Sequence, residues 1–520
     1  MSGPFDVVVI GGGHNGLTAA CLLAIKGKHV AIVEKRDTLG GLAAPVEFEP
    51  GFRSAGVWHG TGNVSESVMS SLGLESLVRN EPSTVYAFDE PGRFAPISGP
   101  VDRAAFGITQ HSPSDGKQYA RYRAFMNRIR PVLSRFLTHR PFNFLEVEQE
   151  ATVEALTRAL GLRRLGAQDM VEFLRVAPMP VADFLNEYFE SEFIKGALAM
   201  DALLGTFGAP RAPGTTTNLM MHESIAGQSV KGGSLALTEA LISRAQELGV
   251  QVMSGHRVSK ILVEGKSARG VELEDGTVIE ATAVSASCNP KTVLLDLLPV
   301  AALTHTTEQR ISNFRTRGTT AHLLLAVDGP VSFQGVSDEQ NLCHARIAPT
   351  LDYVEKAFDP IKYDQYPDEP VLDVSIPTID NPDLAPGGKS VVSVLVSYVP
   401  YDLSGGWTGD AKKALTKNVV DIISRFAPGL EQKIVASKFM SPVDLEEEYG
   451  LTGGNLHHGE PGLDQVVVRP IPECFNYTTP VHGLTLCGSG THPGGTVSCM
   501  AGALAAREII RPGKLRADVA

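Results

Sequence analysis

The chain is poor in cysteine, and none of it is arranged to do chemistry. Its six cysteines (Cys21, Cys288, Cys343, Cys474, Cys487 and Cys499) are scattered and form no Cys-x-x-Cys pair. That speaks against a redox disulfide centre and against a zinc cluster. Basic residues are also in deficit, with 46 Lys and Arg against 58 Asp and Glu and a net charge of −12. Nucleic acid is therefore not expected as a partner. No apolar run approaches the length of a membrane span. The N-terminus enters a strand within a few residues, with no charged leader and no signal-type apolar segment. A reducing cytoplasm is the expected home. There is no internal repeat and no low-complexity segment. Of the 520 residues 43% are hydrophobic, enough for two intimately joined domains.

What is present begins at the N-terminus. A β-branched run, Val7 to Ile10, ends in Gly11-x-Gly13-x-x-Gly16. An Ala- and Leu-rich helix is expected from Leu17 to Ile25, and a second β run, His29 to Val33, delivers Glu34. This is the spacing of a dinucleotide site. Gly11 allows the tight turn, Gly13 lets a pyrophosphate approach the backbone, and Gly16 lets helix and strand pack closely. The phosphates would sit on the helix N-terminus, where free N–H groups and the helix dipole favour negative charge. Glu34 can accept both hydrogen bonds of a ribose diol. The Gly40-Gly41 pair directly after it removes side chains where the pyrophosphate and ribityl chain of FAD would run, which favours FAD over NAD. No second complete fingerprint occurs, so no separate NAD(P)H domain is expected.

The remaining pattern describes a discontinuous cofactor domain. A helix opens at Gly233-Ser234 with apolar positions at Leu235, Leu237, Leu241 and Ala245, and a strand starts at Val250 and leads to Val258. A β-meander follows, with Asp275-Gly276 as a type I′ hairpin signal, Thr277–Ile279 as its third strand and Ala283–Ala286 as a separate strand returning to the main sheet. Near the C-terminus, the strand Leu484–Cys487, the loop Gly488–Gly495 and a helix from Thr496 to Ile510 close the same domain. The expected fold is α/β: a glutathione-reductase-type Rossmann domain with an inserted meander (residues 1–60, 226–290 and 481–510). An interleaved α+β substrate domain of antiparallel sheet and helices takes 61–225 and 291–480, and 511–520 is a tail. Strands are expected at Thr320–Val327, Val371–Ile376, Val391–Tyr398 and Ile434–Met440, and a helix at Lys412–Phe426.

Several blocks together resemble one family. They are Ile10-Gly-Gly-Gly-His-Asn-Gly-Leu17, Gly40-Gly41, Phe189-Glu-Ser-Glu192, Leu384-Ala-Pro-Gly387, Tyr398-Val-Pro-Tyr401, Gly453-Gly-Asn-Leu-His-His458, Leu463-Asp-Gln465 and Leu486-Cys-Gly-Ser-Gly-Thr-His-Pro-Gly-Gly495. They run from end to end of the chain. The chain resembles the phytoene desaturase-like flavoprotein superfamily, nearest the branch of pyridine nucleotide-disulfide oxidoreductase domain-containing protein 2 and its bacterial relatives, close to the carotenoid ketolases. The resemblance implies non-covalent FAD and a redox role on an apolar substrate. It also implies cofactor residues: Gly11, Gly13, His14, Asn15 and Gly16 at the pyrophosphate, Glu34 and Lys35 at the adenosine ribose, and Gly40 and Gly41 beside the pyrophosphate. Val258 would meet the adenine through its backbone, and Gly490, Gly495, Thr496 and Val497 would form the terminal flavin-contacting loop. Thr496-Val497-Ser498 stands where relatives often carry a third glycine.

Oxidation of a C–H bond by flavin usually needs somewhere for a proton to go. Histidines are the natural candidates: His492 in the terminal loop, His458 beside Asn455 and Glu460, His222 in Met220-Met221-His222-Glu223, and His59 beside Trp58. Each can equally hydrogen-bond a loop or order the cofactor. No metal is expected, since the adjacent side chains of His457 and His458 diverge. The expected activity is FAD-dependent oxidation of a hydrophobic small molecule, isoprenoid or carotenoid-like, with hydride transfer to flavin and reoxidation by oxygen, a quinone or another acceptor. One alternative is a flavin amine oxidase, whose flavin-facing lysine and aromatic cage cannot be identified. The other is a flavin-bound scaffold with little turnover. Residues 117–140 form a basic amphipathic stretch broken or bent by Pro131. It reads as a substrate-domain helix, with peripheral contact to an anionic membrane as the second reading.

Overall fold

The computed structural model describes residues 4–60, 63–79, 84–141, 163–225, 229–337 and 342–511; the expected tail lies outside them from 512 onward. Two seven-stranded sheets organise the chain. The β-branched run becomes the strand Phe5–Ile10, which pairs in parallel with Val30–Val33 on one side and Val278–Ala286 on the other. Gln251–Met253 extends the sheet beyond Val30–Val33, and Leu484–Leu486 lies against Val278–Ala286. The first sheet is thus built from three distant stretches of chain. Its helix His14–Ile25 packs on the C-terminal helix Met500–Ile510 at very short range. Gly502 permits this, because a Cβ there would run into the Asn15 carbonyl.

Three local expectations change. The meander (Val258–Glu264, Ser267–Leu273) shares its third strand with the main sheet, because Val278–Ala286 is one continuous strand. Its first half pairs antiparallel with Ser267–Leu273 and its second half parallel with Phe5–Ile10. The alternation of exposed Val278, Glu280 and Thr282 with buried Ile279, Ala281 and Ala283 runs unbroken through the junction, leaving nothing to end the strand. The Asp275-Gly276 turn is not type I′. Only Gly276 has positive φ, its N–H donates to the Leu273 carbonyl, and Asp275 accepts from the Thr277 N–H. The last helix begins at Met500 instead of Thr496. Cys499 takes a left-handed conformation and Ser498 Oγ accepts the Met500 N–H, which leaves Thr496–Ser498 in the loop.

The second sheet runs in the order 434–440, 320–327, 390–397, 372–375, 344–347, 86–90, 93–96. It is antiparallel except at one place. Tyr86–Glu90, from the first block of the substrate domain, pairs in parallel with His344–Ile347. The central strands 320–327 and 390–397 are buried on both faces, and the period of two sorts the side chains of the sheet. Val392, Val394, Val396, Leu323 and Leu325 pack on the helix Gly409–Phe426. His322, His344, Arg346, Asp373, Ser393 and Leu395 take the opposite face.

The basic stretch forms one helix, Pro113–Thr138, with Pro131 inside it. Pro131 is exposed, as is Asn127, whose carbonyl it cannot reach. The apolar stripe (Tyr122, Phe125, Met126, Ile129, Leu133, Leu137) is buried. Acidic partners come from other helices: Arg123 pairs with Glu223 at 2.5 Å and Arg128 with Asp169 at 2.7 Å. The face that would meet a membrane is spent on the interior.

Candidate active site

The nucleotide loop follows from the sequence almost residue by residue. Gly11 turns with φ +94°, and a Cβ at Gly16 would run into the Gly11 carbonyl. Gly13 opens the helix with no side-chain cap and no acidic residue in the first turn, although His14, Asn15 and Gly16 are buried. A buried helix start without a cap leaves backbone donors for an anion. A Cβ on Gly13 would meet nothing nearer than Gly41 Cα at 3.8 Å, so the space over Gly13 is open. Gly40 donates its N–H to the Gly12 carbonyl at 2.8 Å, which lays the Gly40-Gly41 pair alongside the loop. Glu34 Oε2 accepts the Gly12 N–H at 2.7 Å and Oε1 the Arg36 N–H at 3.0 Å. Each oxygen keeps capacity for a ribose hydroxyl. The Met253–His256 segment is hydrogen-bonded to the Glu34 backbone and leads directly into Val258. These residues fit the diphosphate and ribose of FAD.

Two of the expected cofactor residues do other work. Lys35 Nζ donates to the Glu447 carbonyl at 3.2 Å, on the helix Pro442–Tyr449. Asn15 braces the two ends of the domain: Nδ2 donates to Ser489 Oγ and Oδ1 accepts the Gly502 N–H. His14 reaches the Thr496 backbone, its Nε2 has no partner, and burial pushes its pKa down to about 4. Gly490 lies under Pro290, Gly495 against His457, and Val497 is buried.

A cavity of about 550 Å³ lies where the terminal loop meets the second sheet. Pro493, Gly494, Gly495 and Thr496 form one part of its wall; His344, Arg346, Asp373, Ser393 and Leu395 form another. Trp58 and His59 join the two. The backbone before them is tied to the cofactor side, since Val57 donates its N–H to the Leu42 carbonyl.

The structure separates the four candidate histidines. His222 and His59 line the cavity; His458 and His492 do not. His492 is buried with Nε2 2.9 Å from the Phe136 carbonyl. His458 is half-buried, its Nδ1 is shut away from solvent without a partner, and desolvation followed by the nearby Arg469 pushes its pKa down to about 3. The neighbour on the wall is His457, whose ring nitrogens lie 2.7 and 2.9 Å from the Gly495 and Leu204 carbonyls and whose ring meets Trp58 edge-on. Burial lowers its pKa, and the two carbonyls oppose that.

The main chemistry of the wall is a cluster that sequence spacing did not bring together. Asp373 Oδ1 lies 2.9 Å from His59 Nδ1 and 2.7 Å from His344 Nε2, and Oδ2 accepts from Arg346 Nε at 3.1 Å. Arg346 reaches on to Asp201 at 3.0 Å, and His222 Nδ1 lies 3.8 Å from Asp201. Ser393 Oγ links His59 Nε2 and His322 Nε2. Burial works against the Asp373 charge, yet His344, His59 and Arg346 together hold its pKa well below the usual carboxylate range. Burial lowers the pKa of His59 and, further, that of His322. His59, His344 and Asp373 are close enough to ligate a cation. Arg346 already balances the carboxylate, and the separations are those of hydrogen bonds, so the cluster reads as a carboxylate–imidazole network. A signal existed: Asp373 is a charge set among Val371, Leu372, Val374 and Ile376, and a buried charge in such a strand asks for a partner.

The profile of the family described as flavin containing amine oxidoreductase matches residues 16–510. The pyridine nucleotide-disulfide oxidoreductase domain-containing protein 2 of Rattus norvegicus is 32% identical over 98% of this chain and 93% of its own. A carotenoid 3,4-desaturase of Haloarcula japonica is 26% identical over 95% of this chain and 96% of its own. Among solved structures, cyclohexylamine oxidase from Brevibacterium oxydans superposes with a TM-score of 0.56 at 15% identity, covering 98% of this chain and 100% of that one.

Proposed function

The chain belongs to the flavin-containing amine oxidoreductase family and is an FAD-dependent oxidoreductase, and from that premise we propose that it dehydrogenates a small organic molecule held between the terminal loop and the second sheet. One observation carries the reading: a single cavity has both Gly494–Thr496 and the inner face of the second sheet in its wall. Bound FAD supplies an acceptor for two electrons and a hydrogen. The protein's own residues do the rest. The helix start at Gly13 and the Glu34 carboxylate hold the nucleotide end, and Trp58, His457 and Thr496 enclose the reacting end and limit water. Val85, Ile97, Leu137, Met200 and Met221 give the cavity apolar wall for a hydrocarbon skeleton, in keeping with the carotenoid named for the Haloarcula relative. Oxygen, a quinone or another soluble acceptor would reoxidise the cofactor.

The amine oxidase reading is the weaker one here. Among the described residues of the wall, Trp58 is the one aromatic besides histidine, and no lysine is present. Anaerobic bleaching of the flavin tests the proposal. Isoprenoid compounds should bleach it, and NADH or NADPH alone should not, because the chain carries one dinucleotide fingerprint. Bleaching by amines alone, or rapid bleaching by either nicotinamide nucleotide, overturns it.

A further inference from the structure

The polar cluster on the second sheet is larger than a purely hydrocarbon substrate needs. A hydrocarbon filling the cavity would strip water from the ring nitrogens of His222 and His344 that the cluster itself leaves unbonded and return no hydrogen bond. Leaving such groups unpaired costs about 1–3 kcal/mol each, more for charged ones. The cluster instead suits a substrate with a polar atom at the reacting carbon.

The hydrogen-bond pattern assigns directions within the cluster. Asp373 is ionised and only accepts. Both imidazoles approach its Oδ1, His59 through Nδ1 and His344 through Nε2, so each spends its N–H there. His59 then takes the Ser393 hydroxyl at Nε2, 2.8 Å away, and has no lone pair left. His322, on the far side of the same hydroxyl at 2.7 Å, is the donor to it. His344 differs. Its Nε2 is bound to Asp373, and among the described residues nothing hydrogen-bonds its Nδ1. Its side chain is 16% exposed and lines the cavity, whereas that of His59 is 4% exposed. His344 is the one imidazole of the cavity wall that is both anchored by a carboxylate through one nitrogen and left with its other nitrogen unbonded; His222 is more exposed, at 35%, but nothing anchors its ring. His222, the nearest rival, lies 3.8 Å from its carboxylate and is not held by a hydrogen bond.

We propose that His344, oriented by Asp373, accepts the proton of a substrate hydroxyl, so that the group oxidised is an alcohol carbon. The proposal rests on the dehydrogenase reading of this cavity. The carbon–hydrogen bond breaks with its electron pair, which passes with the hydrogen to FAD and reduces it. The O–H proton passes to His344 Nδ1, and the carbon–oxygen double bond forms between them. Asp373 then faces an imidazolium and stabilises it, with Arg346 fixing the other carboxylate oxygen. Asp373 is a positioning residue, and His344 is the catalytic one.

The test pairs alcohols with hydrocarbons of the same skeleton. Perillyl alcohol with limonene, and geraniol with myrcene, are mixed anaerobically with the FAD-loaded protein and flavin bleaching is followed. The alcohols should bleach the flavin and the hydrocarbons should not. His344→Gln should slow bleaching by about 100-fold or more, the usual scale of general-base work, with FAD still bound, substrate affinity little changed and partial rescue by added imidazole. Asp373→Asn should slow it by less. Bleaching by hydrocarbons with inert alcohols overturns this proposal and leaves the dehydrogenase reading standing; bleaching by neither set overturns both. A full rate in His344→Gln, or a larger loss in His222→Gln than in His344→Gln, removes the base from His344. If His344→Gln fails to fold, the wild-type tautomer decides: ¹⁵N-histidine NMR should show His344 protonated at Nε2 and bare at Nδ1, and the opposite tautomer overturns the assignment.

Discussion

The nucleotide loop and the cavity cluster are built in opposite ways. The loop works through backbone. Gly11, Gly13 and Gly16 act by lacking side chains, and they lie within six residues of one another because a single strand–turn–helix makes the site. The cluster works through side chains. His59, Asp201, His222, His344, Arg346 and Asp373 come from four separate elements and one loop and meet only through the tertiary fold. A site made by local backbone leaves a spacing in the sequence. A site made by tertiary assembly leaves only scattered polar residues in apolar surroundings.

The contrast breaks first at Gly13. The open space above it means that Gly13→Val should fold normally yet place its side chain where the pyrophosphate must lie. FAD affinity should fall by roughly 100-fold or more, at about 1.4 kcal/mol per decade, with the apoprotein's unfolding midpoint unchanged. Gly16→Val should instead destabilise the apoprotein, because the clash is with the chain's own Gly11 carbonyl. If Gly13→Val keeps its FAD, the loop is not the pyrophosphate site.

Arg346 is the matching point in the cluster. Arg346→Met removes the cation shared by the buried carboxylate of Asp373 and the half-buried one of Asp201. Breaking a buried pair this way costs about 3–5 kcal/mol. The pH dependence has a definite sign. The folded pKa of Asp373 lies well below its ordinary 3.8. Its contribution to stability is therefore complete above that value and is lost as pH falls through the folded pKa. Without Arg346 both carboxylates protonate more readily, so the gap between variant and wild type in urea unfolding should be wide at pH 7 and narrow in acid. An equal gap at both pH values would mean that Arg346 acts by packing alone.

Legibility in the sequence followed the same division. The strand Thr320–Val327 and the strand Ile434–Met440 stand where their apolar runs begin and end, and the Gly-rich loop stands where its spacing put it. Expectation and structure part where the local pattern is ambiguous. Alternation alone could not tell that Val278–Ala286 is one strand serving two pairings, and Tyr86–Glu90 pairs with a strand more than 250 residues away, which no window can see. In the site, the Gly453–Glu460 block and the terminal loop meet at the cavity through His457 and Gly494–Thr496. Which of two adjacent histidines faces a cavity is set by backbone conformation, and His458 has φ +56°.

That pair of neighbours gives the finest test. His458 and His457 differ by one position, yet one is outside the cavity wall and the other on it. His458→Asn suits the left-handed backbone, since Asn tolerates it, and removes a ring whose Nδ1 has no partner. Flavin reduction by substrate should then change by less than about twofold, against the roughly 10²–10⁴ that a true acid–base group contributes. A second readout shows that the substitution was felt. His458 has a folded pKa of about 3 against an ordinary 6.5, and His14 about 4. Between those values and 6.5 the unfolded chain binds protons that the folded chain does not, so stability falls as pH is lowered through that window. His458→Asn removes one of several histidines whose pKa burial lowers, His14, His59, His322 and His457 being others, and should reduce the slope of stability against pH between about 6.5 and 4 without moving the rate. A rate loss of tenfold or more with FAD still bound would return His458 to the reaction, and the boundary drawn between the two histidines would then be wrong.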